Sequence, residues 1–524
     1  MPGRKTEKLK TVCLFLITAA FSLTACRAPQ KTDMRTLAPL GTLVYLETND
    51  VAAALESLTA SPAFQTLVQA KPDFAALQNI QLAVVVTGFD TSEENSVLSL
   101  KPRFVAVVET HAWSWQTVSL AENQLDTFVR KNYGETAKLE KKDQDGGKYF
   151  VWTADDNRQV FAFVQDSLIY FGNDAAAIEK CLAVKKGETE NLTRNESFTR
   201  VYGEKNLAFG YASTDGIKRI AGLAGVSVAV NASDETDERI FIARILPQIL
   251  QNTTKEIIWT ANRTENGIED RYAVNLTDET ASGLKENLNS NADITTDSVK
   301  FLPTDVFSAT RYNLTNPSAA WRSSMLLTAK NTDALSGKML IGFSGRLLEP
   351  YGVSEADIFL SAGHSPITTA QFDAEGAKSV TIAEVKDSDK LKSSISKEID
   401  FNQPPKKLLN AEIWFSEDKS LAAAFIAGKL ILGDGESVLE CLNAKLSRPN
   451  AVFQRFAESR AVAATFGTDV DSADKIAKVL ANKIDPNRRL ATFYTTETRL
   501  TAGGFERVTI SDFGLIGAIL KNIE

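Results

Sequence analysis

The side chains with the most chemical promise stand together at His111-Ala112-Trp113-Ser114-Trp115. An imidazole exchanges a proton near neutral pH. Indoles stack on sugar rings, hold acyl chains or dip into a membrane interface. If this stretch is extended, alternate side chains share a side, and His111, Trp113 and Trp115 form a candidate ligand or partner surface. The plainer reading is a tryptophan pair buried under a loop.

Other chemistries find little support. The chain of 524 residues has only two histidines and four cysteines. His111 and His364 lie far apart in sequence, and no Cys-x-x-Cys occurs, so no metal and no cofactor is expected. Gly342-Phe343-Ser344-Gly345 lacks one residue of a nucleophile elbow, and no serine is placed against either histidine by a known motif. Asp143-x-Asp145-Gly146-Gly147 resembles a fragment of a calcium loop but lacks the later glutamate and makes a good hairpin turn. Asp469-x-Asp471-x-x-Asp474 opens a helix, where acids favour the positive end. Cys181 and Cys441 each fall on the apolar face of a helix. They read as small buried hydrophobes, with a disulfide between them as the alternative in an oxidising compartment. No catalytic residue is assigned, and an enzyme remains only as a class not recognised here.

The N-terminus supplies an address. Arg4, Lys5, Lys8 and Lys10 precede the apolar run Val12–Phe21, and Leu23-Thr24-Ala25-Cys26 closes it. A basic start, a short apolar core and small residues before a cut make a secretory signal over residues 1–25. The run is short for a membrane span. Leucine three residues before a cysteine, with small residues between, resembles the bacterial lipoprotein box. The resemblance implies that the Cys26 thiol receives a diacylglyceryl group, that the signal is removed, and that the new N-terminus is acylated with a chain such as palmitate. Such a protein is extracytoplasmic, in the cell envelope. Arg27 in place of aspartate leans towards the outer membrane facing the periplasm, where the organism has one. Residues 26–36 then form a polar tether. The formal charge is −8, and the basic leader makes the remainder more acidic still, which argues against nucleic-acid partners.

These residues must be positioned by an architecture that occurs twice. Ala162-Phe163-Val164, Leu168-Ile169, Gly172 and Cys181-Leu182 are matched by Ala424-Phe425-Ile426, Leu430-Ile431, Gly433 and Cys441-Leu442. Each copy predicts a strand, a tight turn, a strand, and a helix opening after the glycine. Further landmarks keep their order: Pro39 and Pro303, Asn49 and Asn313, Phe198-x-Arg200 and Phe453-x-Arg455, Phe209-Gly210 and Phe466-Gly467, Gly283-Leu284 and Gly514-Leu515. The expectation is an α+β protein of two tandem homologous domains, 37–292 and 299–524, each with a largely antiparallel sheet plus helices, joined through a polar stretch at 291–298. The period is far too long for a solenoid. Where the first half has its tryptophans, the second reads Val385-Lys386-Asp387-Ser388-Asp389.

Pro39-x-x-Thr42-Leu43-Val44-Tyr45-x-Glu47-x-Asn49-Asp50, Leu55-x-x-Leu58 and Ser61-Pro62-x-Phe64 together look like the opening of a bacterial family known only as a domain of unknown function, number 3352. The resemblance covers about 30 residues and implies an exported, often membrane-attached protein without assigned activity. The second copy lacks the Ser-Pro-x-Phe continuation. The functional expectation is a membrane-anchored lipoprotein held to the bilayer through Cys26, serving as a non-catalytic binding or scaffolding module. Its partner is an unknown envelope protein or a hydrophobic ligand. The alternative is a carrier of a lipid or other hydrophobic molecule. A carrier needs an apolar cavity, a scaffold an exposed apolar patch.

Overall fold

The computed structural model describes residues 31–522, except 95–96, 204–205, 232–244, 246, 291–298, 304, 445–450, 482–483 and 485–487. The leader, Cys26 and the polar joint lie outside the described residues.

Twenty strands are described. The first ten are β1 Val44–Thr48, β2 Gln81–Glu94, β3 Val97–Glu109, β4 Lys138–Gln144, β5 Gly147–Thr153, β6 Gln159–Gln165, β7 Leu168–Gly172, β8 Ala208–Ala212, β9 Thr254–Thr264 and β10 Gly267–Leu276. The others are β11 Ser308–Tyr312, β12 Gly363–Gln371, β13 Ser379–Val385, β14 Lys406–Leu408, β15 Ala411–Phe415, β16 Leu421–Ile426, β17 Lys429–Asp434, β18 Ala463–Asp469, β19 Thr492–Thr501 and β20 Gly504–Ser511.

They form one antiparallel ribbon. The first half runs β4-β5-β6-β7-β3-β2-β1-β8-β9-β10. It continues through β20-β19-β18-β11-β12-β13-β17-β16-β15-β14. The seam is the pair β10–β20, in register from Ile268↔Ser511 to Asn275↔Gly504. With helices on the sheet, the class is α+β, as the mixture of hairpins and helices implies.

Alternation along the strands explains how the sheet is clothed. In β3, Val105 and Val107 face one core with Phe163 and Tyr170. Val108 faces the other, with Phe150, Trp152 and Ile169. Both faces are buried, so the central strands read as near-continuous apolar runs. The second half has its own pair of clusters, one around Ile382, Ile431 and Phe466, the other around Phe359, Leu430 and Trp414.

Local signals behave as their chemistry dictates. Asp50 accepts from the Ala53 N–H at 3.0 Å and starts the helix Val51–Thr59. Ser61 caps Pro62–Leu67, with proline at the first position, where its missing N–H costs nothing. Asp145 and Gly146 make the β4–β5 turn with positive φ, so the Asp143–Gly147 stretch is a hairpin turn. The repeated glycines have a steric cause. A Cβ at Gly172 would fall on the Phe104 carbonyl oxygen, and one at Gly433 on that of Ser379. The neighbouring strand passes too close for a side chain in both places.

The halves do not pack as separate bodies side by side. The helices Ser472–Leu480 and Gly514–Lys521 place Ile476, Leu480 and Leu520 in the first half's core, against Leu58 and Phe64. Leu515 N–H donates to Asp270 Oδ2 at 2.8 Å, and Ser61 Oγ donates to Asp512 Oδ2 at 2.6 Å. In return, Gly283 of the helix Asp278–Asn287 sits against Leu327 of the helix Pro317–Lys330. Each half lends its last helix to the other.

Candidate functional site

Part of the stretch expected to be a polar tether is packed instead. Met34–Leu37 is a 3-10 turn with Met34 wholly buried, so the packed body begins near Thr32. Gln81, at the start of β2, holds this point. Its Oε1 accepts from the Thr32 N–H at 2.8 Å, and its Nε2 donates to the Thr32 carbonyl at 2.8 Å. The same Oε1 lies 3.1 Å from His111 Nε2, which therefore carries the proton. The His111 N–H donates to Glu109 Oε1 at 2.8 Å.

His111 itself has φ 51, a left-handed conformation tolerated because these bonds hold it. The extended expectation for 111–115 is thus corrected. The left-handed turn at His111 ends the β3 path, and a helix opens at Ser114. It passes through a π turn at Ala121–Leu125 and ends at Tyr133. His111 is turned inward as a brace, while Trp113 and Trp115 project into solvent, 71% and 70% exposed. The buried-pair reading is overturned as well. Trp152, Trp259 and Trp414, by contrast, are buried and each donates its indole N–H to an oxygen.

Trp113 occupies the N-cap position without a side-chain acceptor. The Gln116 side chain reaches back to its N–H at 3.1 Å instead. At the corresponding helix of the second half, Ser388–Ser394, Asp387 is a conventional cap for the Lys390 N–H.

Sequence reasoning missed a buried acid. Glu47 in β1 is 3% exposed and accepts from Tyr45 Oη at 2.6 Å and Tyr202 Oη at 2.9 Å. Burial pushes its carboxyl up to about 7, opposed by the two tyrosine bonds. Arg35 lies over the Tyr202 ring at 3.6 Å and is paired with Asp33 at 2.8 Å. The cluster ties the N-terminal turn to the sheet. Asp270 is likewise buried and raised to about 6 by burial, and it binds the Trp259 indole and the Leu515 N–H. Both acids have their oxygens committed to structural donors.

Between β11, β12 and the helices Pro317–Lys330 and Ala356–Ala362 lies a cavity of about 320 Å³. Trp321, Met325, Leu348, Tyr351, Phe359 and Ile367 line it, with Ala320 at its wall. Polar side chains are few in its lining: Ser324, Thr369, Thr381 and the tyrosines Tyr312 and Tyr351.

The remaining candidates separate. Cys181 and Cys441 are free and buried in different cores. Burial pushes the Cys181 thiol up to about 12 and Cys441 further. Ser344 Oγ donates to the Ile341 carbonyl within its own turn. His364 is exposed on β12, in the other half from His111. Asp469 accepts from the Ser472 N–H at 3.0 Å, as a cap. Among the described residues no group of three or more His, Cys, Asp or Glu is placed to hold a metal ion, and no helix is long and apolar enough to cross a membrane.

No family model matches this chain, and no curated protein matches it. Among solved structures, the DNA polymerase III beta chain of Streptococcus pneumoniae aligns with 89% of this chain and 99% of its own length, at 10% identity and a TM-score of 0.09. A likeness that slight carries no argument about fold or function.

Proposed function

We propose that this chain is an exported, lipid-anchored envelope protein that holds an apolar small molecule, such as an acyl chain, in the cavity beside Trp321. The cavity carries this reading. Its volume, about 320 Å³, lies at the small end of ligand sites, and its wall is mostly hydrocarbon with a few hydroxyls. No chemistry beyond binding is called for, since the two strongly perturbed acids are locked into the fold rather than aimed into a cleft. The anchor reading rests on the Leu23-Thr24-Ala25-Cys26 pattern, and Cys26→Ser should release the protein from membranes.

The test of the cavity is native mass spectrometry on the gently purified mature chain. Extra mass that disappears on denaturation is expected, and it should be absent from Ala320→Trp, which fills the cavity. A bare wild-type mass refutes the carrier reading and favours scaffolding. Scaffolding has its own observation: Leu326, Leu335 and Ile341 lie exposed on consecutive helices, and cross-linking in cells would capture what covers them.

We further infer that residues 37–292 and 299–524 are copies of one unit. The support is the identical strand order read outward from the β10–β20 seam, the matched glycines at 172 and 433, and the reciprocal exchange of last helices. The strands β1 and β11 bury Glu47 and Arg311 respectively, so the copies have diverged in the charge they hold there.

A further inference from the structure

We propose that Trp113 and Trp115 are the face on which the anchored body rests against the lipid bilayer, their indoles seated at the headgroup level. This rests on the lipid-anchor reading of Cys26. The first argument is where the described chain begins. Thr32 is clamped by Gln81, and the same Gln81 oxygen takes the His111 Nε2–H. The described chain therefore begins beside the turn that presents the two indoles. Cys26 is six residues before Thr32. A fully extended chain spans at most about 3.3–3.6 Å per residue, so Thr32 stays within about 20 Å of the lipidated residue. The surface around Thr32 must then face the membrane, and the tryptophans stand on it.

The second argument is chemical. Indoles favour the bilayer interface, where an apolar ring and a polar N–H are both accommodated. Two neighbouring tryptophans about 70% exposed, in a chain whose Trp152, Trp259 and Trp414 are all buried, are not explained by folding. Trp113 also takes a helix N-cap position where it offers no acceptor, while Asp387 caps the corresponding helix of the other half. A residue that breaks a local rule without local gain points to a use outside the fold.

The third argument concerns charge. The formal charge of −8 gives no general attraction to anionic lipid. Around the β4–β5 turn that faces Ser114 and Val118, Asp145 is paired with Lys186, and Glu122 with Lys141 and Lys148. The contact is therefore driven by the indoles. It should form on zwitterionic lipid and persist in high salt.

The full chain would be purified in detergent, its intact mass recorded, and the protein reconstituted into phosphatidylcholine vesicles carrying brominated acyl chains. Lipid-borne bromine quenches only indoles that reach the bilayer. Wild type should lose most of the emission of its two exposed tryptophans, a quenched component that Trp113→Ser/Trp115→Ser should lack; any quenching of Trp321 by an acyl chain entering its cavity is common to both proteins. Because both positions are exposed, the variant is expected to fold, and unchanged far-ultraviolet circular dichroism checks that. Equal fractional quenching of wild type and variant, with lipid present on Cys26, overturns this inference alone. A mass without lipid on Cys26 overturns the anchor, and this inference with it.

Discussion

Replacing Trp113 by aspartate should leave the protein as stable as before, or slightly more so, while removing half of the proposed membrane contact. A buried aromatic covers about 150–250 Å². Trp113 keeps 71% of its surface in water, so at most about 70 Å² is covered, worth roughly 1.8 kcal/mol at about 25 cal/mol/Å². That is an upper figure, because part of the covered area is backbone that stays in place and part is covered in the unfolded chain too. Against it stands a new cap. An Asp at the N-cap contributes about 1 kcal/mol, and its charge at the positive helix end a further ~0.3–1 kcal/mol. The two sides nearly cancel. Trp152, 1% exposed with its indole donating to Asp126 at 2.9 Å, is the control. Trp152→Ala should cost about 3–5 kcal/mol. Native-state hydrogen exchange over the helix beginning at Ser114 is the right assay, because it reads local opening without assuming that 524 residues unfold as one unit. A loss of protection above about 2 kcal/mol in Trp113→Asp would mean that the indole is a packing residue, and the functional reading of its exposure would fall.

Two further outcomes are expected. Glu47 is held near 7 in the folded chain against an ordinary value of 4.5, so the folded state binds its proton more tightly. Its contribution is fully present below pH 4.5 and lost as pH rises through 7, a fall of roughly 3 kcal/mol at most. Urea midpoints measured across that range should decline for wild type and decline less for Glu47→Gln, in which Asp270, raised to about 6, still releases its proton within the range; a wild-type midpoint that rises with pH would refute the assignment. In the mature Cys26→Ser chain, Cys181 and Cys441 should resist a thiol reagent until the protein is unfolded and then both titrate, since each is buried in a separate core. Rapid reaction of either in the native state would contradict that burial.

What was legible in the sequence were the features that depend on neighbours along the chain. The caps at Asp50 and Ser61, the Asp145-Gly146 turn and the strand-turn-strand-helix blocks around Cys181 and Cys441 follow from local backbone chemistry, and they stand where the residues put them. The lipoprotein pattern at Cys26 is equally local, though it falls outside the described residues. The 111–115 stretch misled because alternation was assumed to continue past β3. A left-handed His111, held by Glu109 and by the distant Gln81, ends the strand path instead.

Tertiary structure alone decided the rest. Gln81 and Thr32 are 49 positions apart, and nothing in either residue type announces that they pair. Glu47 reads as one acid among many until Tyr45 and Tyr202 close over it. The seam between β10 and β20, and the helices exchanged across it, join residues about 235–245 positions apart. The cavity exists only where helix and sheet stand off from each other. Local sequence fixes dihedral preferences and the spacing of apolar faces. Which face meets which is set by how the whole chain buries its surface, and that carries no short-range signature.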